Sequence, residues 1–356
     1  MTKELRAAFG IGAMLLALAA GRAEAAAMTF DLWAKPGSLT LPGAAAPVPV
    51  WGYSGTAAGA AAVPGPVLVV NEGDVVTVNL HNLLTEPTAL LFKGIDMVPD
   101  LAGAAASDGT LETLKTYTFT AGAPGAFLYE AGLLANAQHQ VAMGLYGALV
   151  VRPAAFPTQA YGDVATAFDD EAVLVLSEID PALNANPAGF DMRNYAPKFW
   201  LINGKAYPGT AGITSGAGRR VLLRYLNAGN WHHSMALLGM RQTIVGLDGS
   251  PLLHSRSAVA ETLGPGQTMD AIATVPASAA VGNQFALYDA SLLLHNNRAP
   301  GLGGMLTFVT AAAGTPGGGA APTTTGVAVA PSPTNGSVAV TLSAAIAASG
   351  GRSEER

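Results

Sequence analysis

Apolar and polar residues alternate with a period of two through much of the chain. In Val76-Thr77-Val78-Asn79-Leu80 every second residue is apolar, which places one face of a β-strand in a core and the other toward solvent. Turn residues recur at short intervals, and the segments between them are rich in Val, Leu, Thr and aromatic residues. This pattern is typical of sandwiches or barrels, and no long helical period competes with it.

One pair of segments flanks an unusually clear turn. The segments 67–70 and 75–81 lie on either side of Asn71-Glu72-Gly73-Asp74, whose residue types favour a tight turn. Because both segments have the composition of strands, we predict that they form a β-hairpin.

Three segments recur later in the chain in the same order. The pairs are 76–82 with 221–227, 128–134 with 287–293, and 144–151 with 301–309. Chance similarity between apolar strands is the alternative explanation, but the shared order favours two homologous β domains. The sequence therefore predicts an all-β chain, with domains at 28–153 and 171–310 joined by a linker at 154–170.

Both ends of the chain differ from this pattern. A basic start, an apolar run over 7–20 and the sequence Ala23-Glu24-Ala25 predict a signal peptide at 1–25, too short to anchor the chain in a membrane. Periplasmic or secreted localisation follows. Residues 311–325 have the composition of a flexible linker. Residues 326–356 read as a truncated immunoglobulin-like start, either a disordered tail or a hairpin docked on the main body.

Composition limits the chemistry that the chain can perform. Half of its 356 residues are hydrophobic, and its formal net charge is −6 without any basic cluster, which argues against a nucleic-acid partner. There is no cysteine, so disulfides, thiolate catalysis and zinc-thiolate sites are excluded. No nucleophile motif or phosphate loop is present, and no residue is predicted to be catalytic or to bind an organic cofactor.

Several short strings of the sequence resemble one protein family. They occupy 64–74, 78–82, 140–150, 201–204, 263–270 and 303–305. The first three closely resemble the first cupredoxin domain of multicopper oxidases, and the others resemble a later domain of that family. The resemblance covers about residues 28–310 and implies two tandem cupredoxin-like Greek-key β-sandwiches.

The resemblance also implies where copper ligands should lie. The family holds a blue copper with two histidines and a cysteine, and a three-copper cluster with pairs of histidines spaced along strands. In this sequence the ligand positions fall on other residues, namely Leu91, Lys93, Glu130, Gly132, Ala236, Leu238, Asp289, Ala290 and Ser291. Since the chain has six histidines and no cysteine, no realignment restores the full set. We expect neither a trinuclear nor a blue copper site, with Leu91, Ala236 and Leu238 packed inward.

Two histidines remain where the family places the histidine ligands of its blue copper. His233 and His295 could form a residual mononuclear copper site with His232 as a third ligand, or they could be histidines hydrogen-bonded to their surroundings. Glu130 and Asp289 occupy equivalent repeat positions. They could bind a hard cation or transfer protons, but we expect them to accept hydrogen bonds from backbone or basic groups.

These observations predict an exported cupredoxin tandem that acts as a binding or structural module and is not an active oxidase. We expect no cofactor, although copper could occupy the residual site. The partner would be a protein or an envelope component, and the family analogy suggests a homo-oligomer, namely a trimer. The alternatives are a copper-dependent oxidoreductase and a periplasmic copper-binding protein, both using His233 and His295.

Overall fold

The computed structural model describes residues 25–108, 111–313 and 328–329. Strands dominate its regular structure. Those from the first half of the chain, with one short helix, are β1 (Ala27–Leu39), β2 (Val48–Ser54), β3 (Val67–Asn71), β4 (Val75–Asn82), β5 (Leu90–Phe92), β6 (Thr113–Thr120), β7 (Gly125–Ala131), α1 (Ala137–Met143) and β8 (Tyr146–Arg152).

A second set of strands follows a connection that contains one turn of 3-10 helix. These elements are β9 (Asp170–Ile179), α2 (Pro181–Ala185), β10 (Phe199–Ile202), β11 (Ile213–Gly216), β12 (Arg220–Asn227), β13 (His233–Leu237), β14 (Gln242–Leu247), β15 (Ser250–Ala258), β16 (Ala260–Leu263), β17 (Thr268–Thr274), β18 (Gln284–Asp289), β19 (Leu306–Ala312) and β20 (Ala328–Val329). The predicted signal peptide and the segment after Ala313 lie outside the described residues, apart from Ala25 and β20.

The strands form four sheets, two in each sandwich. Sheet I has the order β2-β1-β4-β6, and sheet II has the order β20-β3-β8-β7-β5. Sheet III has the order β10-β9-β12-β17-β14-β15, and sheet IV has the order β11-β19-β18-β13-β16. Sheet III repeats the order of sheet I with two added strands, and sheet IV repeats that of sheet II with β16 added and β20 lacking. The duplication seen in the sequence is therefore also present in the strand order.

The alternating pattern of the sequence explains how the first sandwich is held together. Val76, Val78 and Leu80 on β4 are fully buried, while Thr77 and Asn79 on the opposite face are partly exposed. The buried row packs against side chains of sheet II and forms one hydrophobic core. The second sandwich has a matching core between sheets III and IV.

The predicted hairpin at 67–81 is wrong in its pairing, although both strands exist. β3 pairs with β8 in sheet II, whereas β4 pairs with β1 and β6 in sheet I. The turn between them thus crosses from one sheet to the other. The buried Asp74 carboxylate stabilises this crossing because it accepts hydrogen bonds from the backbone N–H groups of Asn71 and Ala26, at 2.8 and 2.9 Å.

The two sandwiches pack against each other through sheets II and III. A third apolar cluster joins side chains of β7 and β8 to side chains of β9, β10 and β12. Every residue of β7 and β9 is buried, because both faces of these strands are covered. Thr268 adds a polar link, since its hydroxyl donates to the Ala126 carbonyl at 2.8 Å. The four sheets form layers, with sheets II and III inside and sheets I and IV outside.

A buried ionic cluster reinforces the centre of sheet III. The fully buried guanidinium of Arg224 donates to Glu171 and to Asp270, both at 2.6 Å. Arg152, at the end of the first sandwich, donates to the other oxygen of Glu171. Because the charges are paired, their burial is tolerated, and the cluster links the two sandwiches.

Neither α1 nor α2, the α-helices of the described part of the chain, is long and apolar enough to span a membrane.

Candidate functional site

A second buried group of charged side chains in the second sandwich is centred on His233. This residue begins β13, Glu178 lies near the end of β9, and Asp289 ends β18. Its ring nitrogens contact one carboxylate each: Nε2 lies 3.1 Å from Glu178 Oε2, and Nδ1 lies 2.9 Å from Asp289 Oδ2. All three side chains are inaccessible to solvent. We call Glu178, His233 and Asp289 the buried triad.

Backbone groups hold the two carboxylates of the buried triad in place. The backbone N–H groups of Asn230 and Trp231 donate to Glu178 Oε1 at 2.5 and 3.1 Å. The N–H of Ser291 donates to Asp289 Oδ1 at 2.9 Å. Hydrogen bonds of this kind stabilise the ionised form of a carboxyl group. These bonds fix the positions of both carboxylates beside His233.

The contacts within the buried triad determine its protonation. Burial by itself favours a neutral imidazole, but the hydrogen bonds with Asp289 and Glu178 outweigh it and raise the pKa of His233 to about 9. Burial by itself would raise the pKa of Asp289, but the bonds from His233 and from the Ser291 N–H lower that pKa. At neutral pH the triad is thus an imidazolium held between two carboxylates.

This arrangement does not fit a copper ion. The two ring nitrogens of an imidazole point in diverging directions, and each faces a different carboxylate, so one ion cannot bind a ring nitrogen and both carboxylates together. Copper also requires an unprotonated ring nitrogen, whereas the raised pKa of His233 favours the protonated ring. Within residues 25–108 and 111–313, no group of three or more His, Asp or Glu side chains could hold a metal ion.

The other two predicted metal ligands, His232 and His295, are exposed. His295 is exposed in the loop after β18, and its ring meets the edge of Trp200 with centroids 4.6 Å apart. His232 is also exposed. Both nitrogens of His233 are already engaged by carboxylates. The residual metal site at these two histidines stays a prediction.

A second ion pair stands at the equivalent position of the first sandwich. Lys93 Nζ lies 2.8 Å from Glu130 Oε1, and Glu130 is only 8% exposed. Burial raises the pKa of Glu130, and the Lys93 cation offsets only part of that effect. A crevice of about 190 Å³ lies beside the pair, between the two sandwiches, with Asn230 and Gly266 on its far wall.

The other positions at which the family resemblance places copper ligands follow the predictions in part. Glu130 and Asp289 accept hydrogen bonds from a basic group or from backbone N–H, as predicted. Ala236 is buried, also as predicted. Leu238 is 63% exposed, so its predicted inward packing is wrong. It lies just beyond the end of β13, where the strand turns at Gly239, which has a φ of 83°, and the side chain faces solvent.

Glu178 was not among the candidate residues, although it completes the buried triad. Its neighbours in β9 are mostly apolar and buried, namely the run Val173-Leu174-Val175-Leu176 before Ser177, and Ile179 after it. A carboxylate inside such a run is costly to bury without a partner, and this is the signal that could have identified it.

Comparisons with known proteins agree with this architecture. Residues 47–155 match the family model of multicopper oxidases. Over 225 residues the chain is 23% identical to the multicopper oxidase MmcO of Mycobacterium tuberculosis, an alignment that covers 54% of this chain and 42% of that protein. The aligned part thus spans less than half the length of this relative.

Solved structures show the same fold. The blue copper oxidase of Nitrosomonas europaea aligns with a TM-score of 0.68 and 24% identity, covering 80% of this chain and 85% of its own. The copper nitrite reductase of Nitrosomonas europaea aligns with a TM-score of 0.62 and 21% identity, covering 80% of this chain and 94% of its own. The predicted resemblance and the cupredoxin-like β-sandwich fold are confirmed.

Proposed function

We propose that this chain, which carries a multicopper oxidase domain at residues 47–155, is an exported cupredoxin tandem without copper chemistry that acts as a binding or structural module. The buried triad is the observation that carries the proposal. Its imidazolium places a positive charge between Glu178 and Asp289 at neutral pH, which offsets one of two carboxylate charges without a metal ion.

The first sandwich supports the same conclusion. Its carboxylate Glu130 is paired with Lys93, whose ammonium group donates hydrogen bonds and offers no lone pair to copper. The blue copper of the family needs a thiolate, and the chain has none. At two equivalent positions, Glu130 and Asp289, internal ion pairs therefore stand where the family has metal ligands. Such pairs maintain the sandwiches, which leaves the exposed surfaces for binding.

A copper-binding protein or copper-dependent oxidoreductase is the second candidate. Its supporting observation is the exposed ring of His295, which is accessible to an ion. For His233 to join it, the imidazole would have to lose a proton and leave at least one carboxylate. Leaving that carboxylate buried and unpaired is unfavourable, so we expect any copper held at His295 to be weakly bound.

Copper binding by the purified mature protein tests the proposal. The protein is stripped of metal, exposed to Cu(II), dialysed and analysed for bound copper, for visible and spin-resonance spectra, and for oxidation of a phenol. We expect no stoichiometric copper and no turnover. His295→Ala and His233→Ala are the informative variants, and His254→Ala, which removes another exposed histidine, is the matched control.

Two results would contradict the proposal. Stoichiometric copper that is lost in His233→Ala and in His295→Ala but kept in His254→Ala would establish the residual site. Phenol oxidation with the same dependence would make the chain an oxidoreductase. Export is part of the proposal, and sequencing the amino terminus of the periplasmic or secreted protein tests it, since cleavage should follow Ala25.

A further inference from the structure

The first strand of the molecule begins two residues after the predicted end of the signal peptide. That peptide ends at Ala25, and β1 begins at Ala27. Ala25 and Ala26 are exposed and belong to no helix or strand. Cleavage between them therefore removes no residue of β1, and it makes Ala26 the first residue of the mature chain.

Two hydrogen bonds fix the backbone of Ala26. Its N–H donates to Asp74 Oδ1 at 2.9 Å, and its carbonyl accepts from the N–H of Val75, also at 2.9 Å. Asp74 and Val75 are consecutive, so both bonds join Ala26 to the place where the chain crosses from sheet II to sheet I. The nitrogen that cleavage converts into an amino terminus thus already lies beside a carboxylate.

The Asp74 carboxylate is buried, yet it has no cationic side chain as a partner among the described residues. Its residue is only 2% exposed. The carboxylate accepts hydrogen bonds from the backbone N–H groups of Asn71 and Ala26, which carry no net charge. Burial of a carboxylate is unfavourable unless a counter-charge or sufficient hydrogen bonds compensate for it. A cation at the position of the Ala26 nitrogen would supply that counter-charge.

We propose that cleavage after Ala25 creates an ion pair between the new α-ammonium group of Ala26 and the buried carboxylate of Asp74. Hydrolysis adds one water molecule across the peptide bond, so that Ala25 leaves with a carboxylate and Ala26 keeps an amine that takes up the released proton. An α-amino group is mostly protonated at pH 7. The neutral N–H donor of the precursor thus becomes a charged donor, and such hydrogen bonds are stronger.

This ion pair makes the stability of the fold depend on processing. The parallel pairing of β1 with β4 starts at Ala27 and Val75, directly beside the new bond. The precursor has the hydrogen bond without the charge, so the chain reaches its full stability only after cleavage. The inference rests on the export that is part of the proposed function, but it is independent of the copper question.

Acetylation of the amino terminus tests the ion pair. The mature chain is prepared with a free Ala26 amine and with the same amine acetylated, which keeps an N–H donor and removes the charge. We expect the unfolding equilibrium constant at pH 7, from urea denaturation, to be about tenfold larger for the acetylated chain. In Asp74→Asn acetylation should have no effect. Asp163→Asn is the matched control, because Asp163 also accepts a backbone N–H, that of Ala165, and there the tenfold effect should persist.

Equal unfolding constants for the free and acetylated chains would overturn the proposal, and this comparison does not require Asp74→Asn to fold. An undiminished effect of acetylation in Asp74→Asn would also overturn it, because the charge would then act elsewhere. Amino-terminal sequencing of the exported protein separates the two proposals. A first residue other than Ala26 would overturn the cleavage and the ion pair together. A start at Ala26 with equal unfolding constants would overturn the ion pair alone.

Discussion

Glu130 in the first sandwich and Asp289 in the second are equivalent by sequence and by strand order, yet their pKa values shift in opposite directions. Both are buried, at 8% and 0% exposure, near the ends of β7 and β18. The pKa of Glu130 is raised, whereas that of Asp289 is lowered. Burial disfavours the charge at both positions, so the difference must come from the partners.

The partners differ in number and in burial. Glu130 has Lys93, a flexible side chain that is 36% exposed and whose attraction is weakened by water. Asp289 has the inaccessible His233 imidazolium and the backbone N–H of Ser291. Of these two carboxyl groups, the one with a buried partner and a backbone N–H donor has the lowered pKa. The second sandwich contains the stronger ion pair, and its loss should cost more.

Removal of the central ring of the buried triad should have the largest effect. His233→Ala leaves two buried carboxylates without a cation, and we expect the free energy of unfolding to fall by about 3–5 kcal/mol. Urea denaturation of the purified variants measures this change. His295→Ala removes an exposed histidine and should leave stability unchanged. A cost for His233→Ala below about 1 kcal/mol would contradict the account of the triad.

The stability of the protein should also depend on pH through the same residue. The pKa of His233 rises from an ordinary 6.5 in the unfolded chain to about 9 in the folded protein. The imidazolium thus contributes its full stabilisation, about 3 kcal/mol, below pH 6.5, and the contribution is lost as the pH rises through about 9.

Denaturation curves between pH 6 and pH 10, recorded for the natural chain and for His233→Asn, isolate this contribution from other titrating groups. The difference in unfolding free energy between the two proteins should shrink as the pH rises. A difference that stays constant over this range would show that His233 is not protonated in the folded state.

Asp289 affects stability in acid. Its lowered pKa adds stability that is lost as the pH falls below about 4.

Much of the fold could be predicted from the sequence, because alternation reports which residues of a strand face the core. Val76, Val78 and Leu80 were assigned to the core and are buried. The pairing of β3 and β4 could not be predicted in this way, since a turn within one sheet and a crossing between two sheets use the same residue types. Exposure just beyond a strand, as at Leu238, likewise depends on tertiary structure.

The candidate site could be predicted only as a set of missing ligands. Counting histidines and cysteines indicated that the copper sites of the family were lost, because such a count does not depend on how the chain folds. It could not indicate which residues would contact His233. Glu178 meets His233 from 55 positions away in the chain, and nothing in the local sequence of either residue specifies that contact.

Disruption of the ion pair in the first sandwich should have the smallest effect. Lys93→Met keeps the length of the side chain but removes its charge, and Glu130 can then take up a proton, because burial already raises its pKa. We expect a loss of about 1 kcal/mol at pH 7, and less in acid. Glu130→Gln removes a charge that is costly to bury and should change stability by no more than about 0.5 kcal/mol.

The double variant Lys93→Met with Glu130→Gln completes a thermodynamic cycle whose coupling energy should stay below about 1 kcal/mol. The corresponding cycle of His233→Ala with Asp289→Asn should give a clearly larger coupling, because neither partner there is screened by water. Equal coupling energies in the two cycles would mean that burial of the partner does not matter. The opposite pKa directions of Glu130 and Asp289 would then require another cause.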